Sequence, residues 1–162
     1  MKIFGKPLQE YVRFGRVFLV LIAVIGVTRL ALSLSGAPNE TSKWFSMTAV
    51  AWIGVFYYAV RVHSSGFGTY RHLLPVIALL NFTAQAIAIV AIVIAIFTGT
   101  DNVFSAPEYA FGSDGKTWLH AGAHLVIGTT AGTLIPWLTG SLIMFISTKL
   151  AKEKRSGVAA RA

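Results

Sequence analysis

The chain has 162 residues, 55% of them hydrophobic and only 12% charged, with a mean hydropathy of +0.67. A soluble domain of this length carries about 25% charged residues, so the composition excludes an ordinary water-soluble globule and points to one integral membrane domain. The absence of cysteine excludes disulfides, thiolate metal sites and cysteine nucleophiles, and the net charge of +8 lies outside the apolar segments, where membrane orientation explains it better than nucleic acid does.

Residues 1–16 form a basic leader with Lys2, Lys6, Arg13 and Arg16. The first span is 17–36, twenty residues that cover ~30 Å as a helix, about one hydrocarbon core. A cleavable signal peptide ending near Ser33-Leu34-Ser35 is disfavoured by Arg29, a charge inside the apolar run. A polar turn, 37–43, leads to the second span at 44–62, with Trp44 at one end and Tyr57 and Tyr58 towards the other, as interfacial aromatics would be placed. Ser64-Ser65-Gly66-Phe67-Gly68 marks a flexible turn. The third span is 73–98, with Pro75 in its expected first turn.

The one long loop is 99–117. Ser105 and Glu108 are spaced as a capping box for a short helix ending at Phe111 and Gly112, and Phe104, Tyr109 and Phe111 are expected to lie on the lipid interface. The fourth span is 118–148, and a basic tail, 149–162, is expected to be loose. The predicted fold is therefore all-α: four transmembrane helices, 17–148, in an antiparallel bundle. Eleven of the fourteen Lys and Arg residues fall on the side of the two termini, and four of the six acids on the other. Positive charge prefers the cytoplasmic side, so both termini are expected in the cytoplasm, with anionic lipid as a partner there and a bacterial cytoplasmic membrane as the setting.

The fourth span holds His, His, Gly, Gly, Pro and Gly at 120, 124, 128, 132, 136 and 140, a ridge of residues four apart. His120 and His124 can point the same way and offer two ligands to a divalent metal or a haem, with Glu108, or else Asp101, Asp114 or Glu40, able to approach as a further ligand. Counting ~30 Å back from Lys149 reaches Gly128, which puts both histidines at the outer interface. Without a metal, they would hydrogen-bond to the loop and to lipid headgroups. A haem shared with His63 or His72 is disfavoured, because those lie at the other end.

Arg29 lies ~20 Å beyond Arg16, deep in the first span, and either snorkels or holds a partner such as Glu40 or a loop carboxylate. Asn81 and Gln85 lie mid-span on one face, and amides there need hydrogen bonds, with Thr48, Thr129, Thr133 and Thr139 as candidate partners. Gly128 and Gly132 form a small-xxx-small motif for close helix approach, and Pro136 deprives the Gly132 carbonyl of its helical donor, predicting a kink.

No nucleophile elbow, zincin or dinucleotide motif occurs, so the balance leans towards a non-catalytic protein that requires no cofactor. The favoured expectation is a subunit or interaction protein that packs on other membrane subunits or on itself through its last helix. Two alternatives are a metal- or haem-binding redox protein using His120 and His124, and a small transporter or quinone-site protein using Arg29, Asn81 and Gln85. The last alternative requires a cavity lined by those three residues.

Overall fold

The computed structural model describes residues 2–110 and 112–159, with side chains described except at Tyr109 and residues 154–159. After a small hairpin (β1, Lys2–Ile3; β2, Lys6–Pro7) come α1 (Leu8–Leu34), the short α2 (Asn39–Ser42), α3 (Met47–Ser64) and α4 (Tyr70–Thr98). A single 3₁₀ turn (Pro107–Tyr109) interrupts the long loop. The last helix is composite: α5 (Trp118–Ala123), one π turn (His124–Gly128) and α6 (Thr129–Ala159). Four stretches, Leu8–Leu34, Asn39–Ser64, Tyr70–Thr98 and Trp118–Glu153, are long and apolar enough to cross a membrane.

Local chemistry sets the helix ends. Ser46 caps α3 by accepting from the Ala49 amide at 3.2 Å, and Thr117 caps α5 by accepting from the His120 amide at 3.1 Å. At the start of α4, the Thr69 amide donates to His72 Nδ1 at 3.1 Å. Gly99, at φ 69°, ends α4 in the left-handed conformation that glycine adopts without strain.

Both α3 and α4 pack against one another and against α1 and α6, so α1 and α6 flank the α3–α4 pair on opposite sides. The buried centre holds Tyr11 and Ile22 of α1, Tyr58 of α3, Leu73, Ile77 and Leu80 of α4, and Met144 of α6. Gly54 lets α3 close on α1 and α4, because a Cβ there would lie 2.9 Å from Leu80 Cδ1 and 3.1 Å from Phe18. One end of the bundle gathers the hairpin, the α3–α4 turn and the Phe145–Lys152 stretch of α6. The 99–117 loop closes the other end.

Several boundaries differ from the expected ones. Helix α1 extends beyond the expected span into the basic leader, starting at Leu8, and the leader is held: Tyr11 Oη donates to the Ile3 carbonyl at 2.8 Å, and His72 Nε2 lies 3.2 Å from the Phe4 carbonyl. Helix α6 continues through the basic tail to Ala159, a stretch rich in good helix formers. Pro75 is the sixth residue of α4, not in its first turn, so the Arg71 carbonyl lacks its usual helical donor. Tyr58 is an inward core residue whose hydroxyl donates to the Phe14 carbonyl at 3.1 Å, so only Tyr57 faces outward.

The long loop also departs from expectation. Ser105 does not cap the turn after it; its hydroxyl accepts from the Asn102 amide at 3.0 Å. Phe104 turns inward, 8% exposed. Asn102 ties the loop to α4 by donating to the Ala91 carbonyl at 2.7 Å, and the Val103 amide donates to Ser33 Oγ at 2.8 Å. The loop folds into the end of the bundle because its own polar groups find protein partners there. Phe111 and the Tyr109 side chain lie outside the described residues.

Candidate functional site

The polar residues of α4 meet the last helix at its π turn. Asn81 Nδ2 lies 3.1 Å from the Gly128 carbonyl, 3.0 Å from the Thr129 carbonyl and 3.1 Å from Thr133 Oγ1. Thr133 and Thr129 were both expected partners, the second engaging through its backbone. Thr139 instead donates to its own helix at Ile135. Gln85 Nε2 donates to Asn81 Oδ1 at 3.3 Å, and Gln85 Oε1 lies 2.7 Å from His124 Nδ1.

These contacts fix the direction of every bond. The oxygen and nitrogen of an amide are assigned from their partners. Backbone carbonyls can only accept, so the Asn81 atom facing them is the NH₂ group. Its oxygen then faces Gln85, which must present its own NH₂ there. The Gln85 oxygen is left for the histidine, so His124 Nδ1 carries the proton. In the neutral ring Nε2 is consequently an acceptor.

The glycines of the ridge are the seats of these amides. A Cβ at Gly128 would lie 2.7 Å from Gln85 Oε1, and one at Gly132 would lie 2.7 Å from Asn81 Oδ1. The close approach anticipated for this motif is therefore made by polar side chains of α4. The π turn adds to it: the Thr129 amide donates five residues back to the His124 carbonyl, which also accepts from Thr129 Oγ1 at 3.3 Å.

Two cavities flank the chain of amides. One of about 250 Å³ lies between α3, α4 and α6; it is lined by Asn81, Gln85, Trp52, Gly132 and Pro136, and by Thr48 and Ile135, which are exposed on the bundle's outer surface. The second, about 180 Å³, is lined by Arg29, Gln85, His124, Thr48 and Phe104. They share Thr48, Ala84 and Gln85. Together they reach the lower end of the ~300–1,000 Å³ range of small-molecule sites. The Arg29 guanidinium lies 5.0 Å from the centre of the Phe104 ring, a cation–π distance. Among the described residues no carboxylate lines either cavity.

The histidines divide. His120 Nδ1 lies 2.9 Å from the Gly115 carbonyl, facing the loop, whereas His124 faces Gln85 inside the bundle rather than the loop and headgroups. Their rings are 5.0 Å apart and tilted by 47°. Among the described residues no group of three His, Asp or Glu side chains is placed to hold a metal. The nearby acids are engaged elsewhere. Glu108 Oε1 accepts from Asn39 Nδ2 at 2.6 Å, Glu40 pairs with Lys43, and Asp101 and Asp114 lie 2.7 and 3.3 Å from the Lys116 ammonium. The Asn39 amide holds the Glu108 carboxyl below its usual range. The Lys116 backbone amide, then its ammonium, does the same for Asp114, and Asp101 raises Lys116.

Arg29, Asn81 and Gln85, three residues singled out from sequence, thus border adjoining cavities. His124 joins them, although the spacing argument had paired it with His120. Thr48, Trp52 and Phe104 complete the walls; only the threonine had carried a signal as a hydrogen-bonding residue within a span. No family model matches the chain, and no curated protein or solved structure matches it either.

Proposed function

We propose that the chain is a small four-span membrane protein, with both termini in the cytoplasm, that binds a bilayer-soluble ligand of the quinone class between α3, α4 and α6. The observation that carries this reading is the directed chain from Asn81 through Gln85 to His124 beside a cavity with exposed Thr48 and Ile135 at its edge. In a bilayer that edge faces lipid, so an apolar molecule can enter sideways. The wall offers donors at Arg29 and Thr48, an acceptor at His124 Nε2, and the rings of Trp52 and Phe104. A quinone carbonyl needs a donor, a quinol hydroxyl needs an acceptor, and a flat ring needs an aromatic or apolar wall. A cation is opposed by Arg29 and finds no carboxylate in the lining.

The test is the quinone content of protein extracted with its native lipids. Retention near one quinone per chain, well above the share present in the bulk lipid, supports the reading. Content equal to that of the bulk lipid removes it.

A second reading, a non-catalytic subunit of a larger membrane complex, is supported by a separate observation. The most apolar windows of the first and last spans are only 11% buried within the chain, leaving wide faces for lipid or for other helices. Co-purification of a partner under mild extraction supports it, and a solitary monomer removes it.

A further inference from the structure

A groove of about 570 Å³ runs between α1 and α3 at the end of the bundle that carries the hairpin. It lies apart from the amide chain and shares no lining residue with either cavity there. Its rim carries two guanidiniums, Arg13 from α1 and Arg61 from α3, both on exposed residues. Among the described residues neither forms an ion pair. Glu10, the carboxylate among the described lining residues, is 3.1 Å from Lys6 Nζ and thus already has a countercharge.

One helical turn further into the spans, ~5.4 Å along each axis, the walls become Val17 and Phe18 on one side and Tyr57 on the other. Val17 and Tyr57 are 57% and 49% exposed, which in a bilayer means contact with lipid. The floor is aromatic: Phe14 stacks on Phe67 with ring centres 3.9 Å apart, and Phe18 packs against Tyr57 and Tyr58. The groove is therefore amphipathic along the membrane normal, with cationic forks at the edge of the apolar span and an aromatic–aliphatic channel beneath. Guanidinium forks match phosphate oxygens in pairs, whereas lysine acts as a compact point charge.

We propose that this groove seats one anionic phospholipid, its phosphate shared between Arg13 and Arg61 and its first acyl methylenes against Val17, Phe18 and Tyr57. The other groove at this end, near Lys149 and Lys152, has lysines and a more polar wall and serves as the internal control. The inference rests on the chain spanning a bilayer and is independent of any quinone in the polar pocket.

Native mass spectrometry of the detergent-solubilised protein, titrated with phosphatidylglycerol or phosphatidylcholine, tests it. One phosphatidylglycerol should be retained in preference to phosphatidylcholine. R13Q/R61Q should weaken that retention roughly tenfold, the scale of losing charge-assisted phosphate contacts, while K149Q/K152Q should leave it unchanged. Inorganic phosphate should not displace the lipid, because it lacks the chains that fill the channel. Equal retention of the two lipids by the wild-type protein overturns the proposal, and so does full retention by R13Q/R61Q or displacement by inorganic phosphate. If R13Q/R61Q does not fold, the wild-type lipid preference together with K149Q/K152Q decides: preference with an unchanged control supports the site, and loss of retention in the control overturns it.

Discussion

Asn81 is the residue on which the polar chain turns. Replacing it with alanine removes the donor to the Gly128 and Thr129 carbonyls and to Thr133, and leaves Gln85 without its acceptor. Losing such partners away from water costs ~1–3 kcal/mol, with the lower end favoured in membrane proteins, where the unfolded chain finds other partners. Equilibrium unfolding in mixed detergent should register that loss for Asn81→Ala. Gly128→Ala should behave differently. Its new methyl would press on the Gln85 carboxamide, which must swing away and give up its bonds to Asn81 and His124, while the Asn81 bonds to the last helix stay in place. The expected signature is a loss of ~1 kcal/mol with the His124 bond broken, read by nitrogen NMR as loss of the Nδ1-protonated tautomer. An Nε2-protonated ring in the wild-type protein would contradict these bond directions.

At the scale of elements, the loop after α4 is a folded plug held by polar ties. Glu108 and Asp114 have lowered carboxyl pKa values, so their contribution exists above the ordinary carboxylate range and is lost as pH falls through the folded values. Lys116 is raised, so its contribution is full below the ordinary lysine value and is lost as pH rises through the folded one. The ties are therefore complete between about pH 5 and pH 10. Hydrogen exchange over 100–117, corrected for intrinsic rate, should lose protection below about pH 4, and protection that is flat down to pH 3 would contradict this. Gly115→Ala should loosen the same loop at neutral pH, because its methyl would lie 2.2 Å from the Ser105 backbone carbonyl, which cannot swing aside.

Much of this scale was legible in the sequence. The four apolar runs gave the four long helices, and mid-span amides had to bond across the bundle. The π turn was not legible, since it depends on tertiary partners rather than on the identity of residues 124–128. The inward turn of Phe104 likewise places its ring beside Arg29, a contact between residues far apart in sequence. A glycine ridge says only that something comes close; whether that is a backbone or an amide side chain is settled by α4, 39 residues away from His124 at Gln85. Spacing on one helix paired His124 with His120, while packing against another helix separated them.

For the whole molecule, the distribution of charge makes a claim about sidedness. The chain has no cysteine, so single cysteines can be introduced without background. Ser65→Cys in the α3–α4 turn should react with a membrane-impermeant maleimide only when the cytoplasmic face is accessible, and Ser113→Cys in the long loop only from the opposite face. The reverse pattern would invert the proposed orientation but leave the pocket, which lies between the two ends, in place. The pocket itself is tested most directly by titrating a short-chain, water-soluble quinone into the purified protein and into Gln85→Leu, following quenching of tryptophan fluorescence, to which Trp52 in the cavity wall contributes. Saturable quenching in the wild-type protein, weakened at least roughly tenfold in Gln85→Leu, is the expected result. Quenching that is linear and identical in the two proteins would show partitioning into detergent and contradict a ligand site built on Asn81, Gln85 and His124.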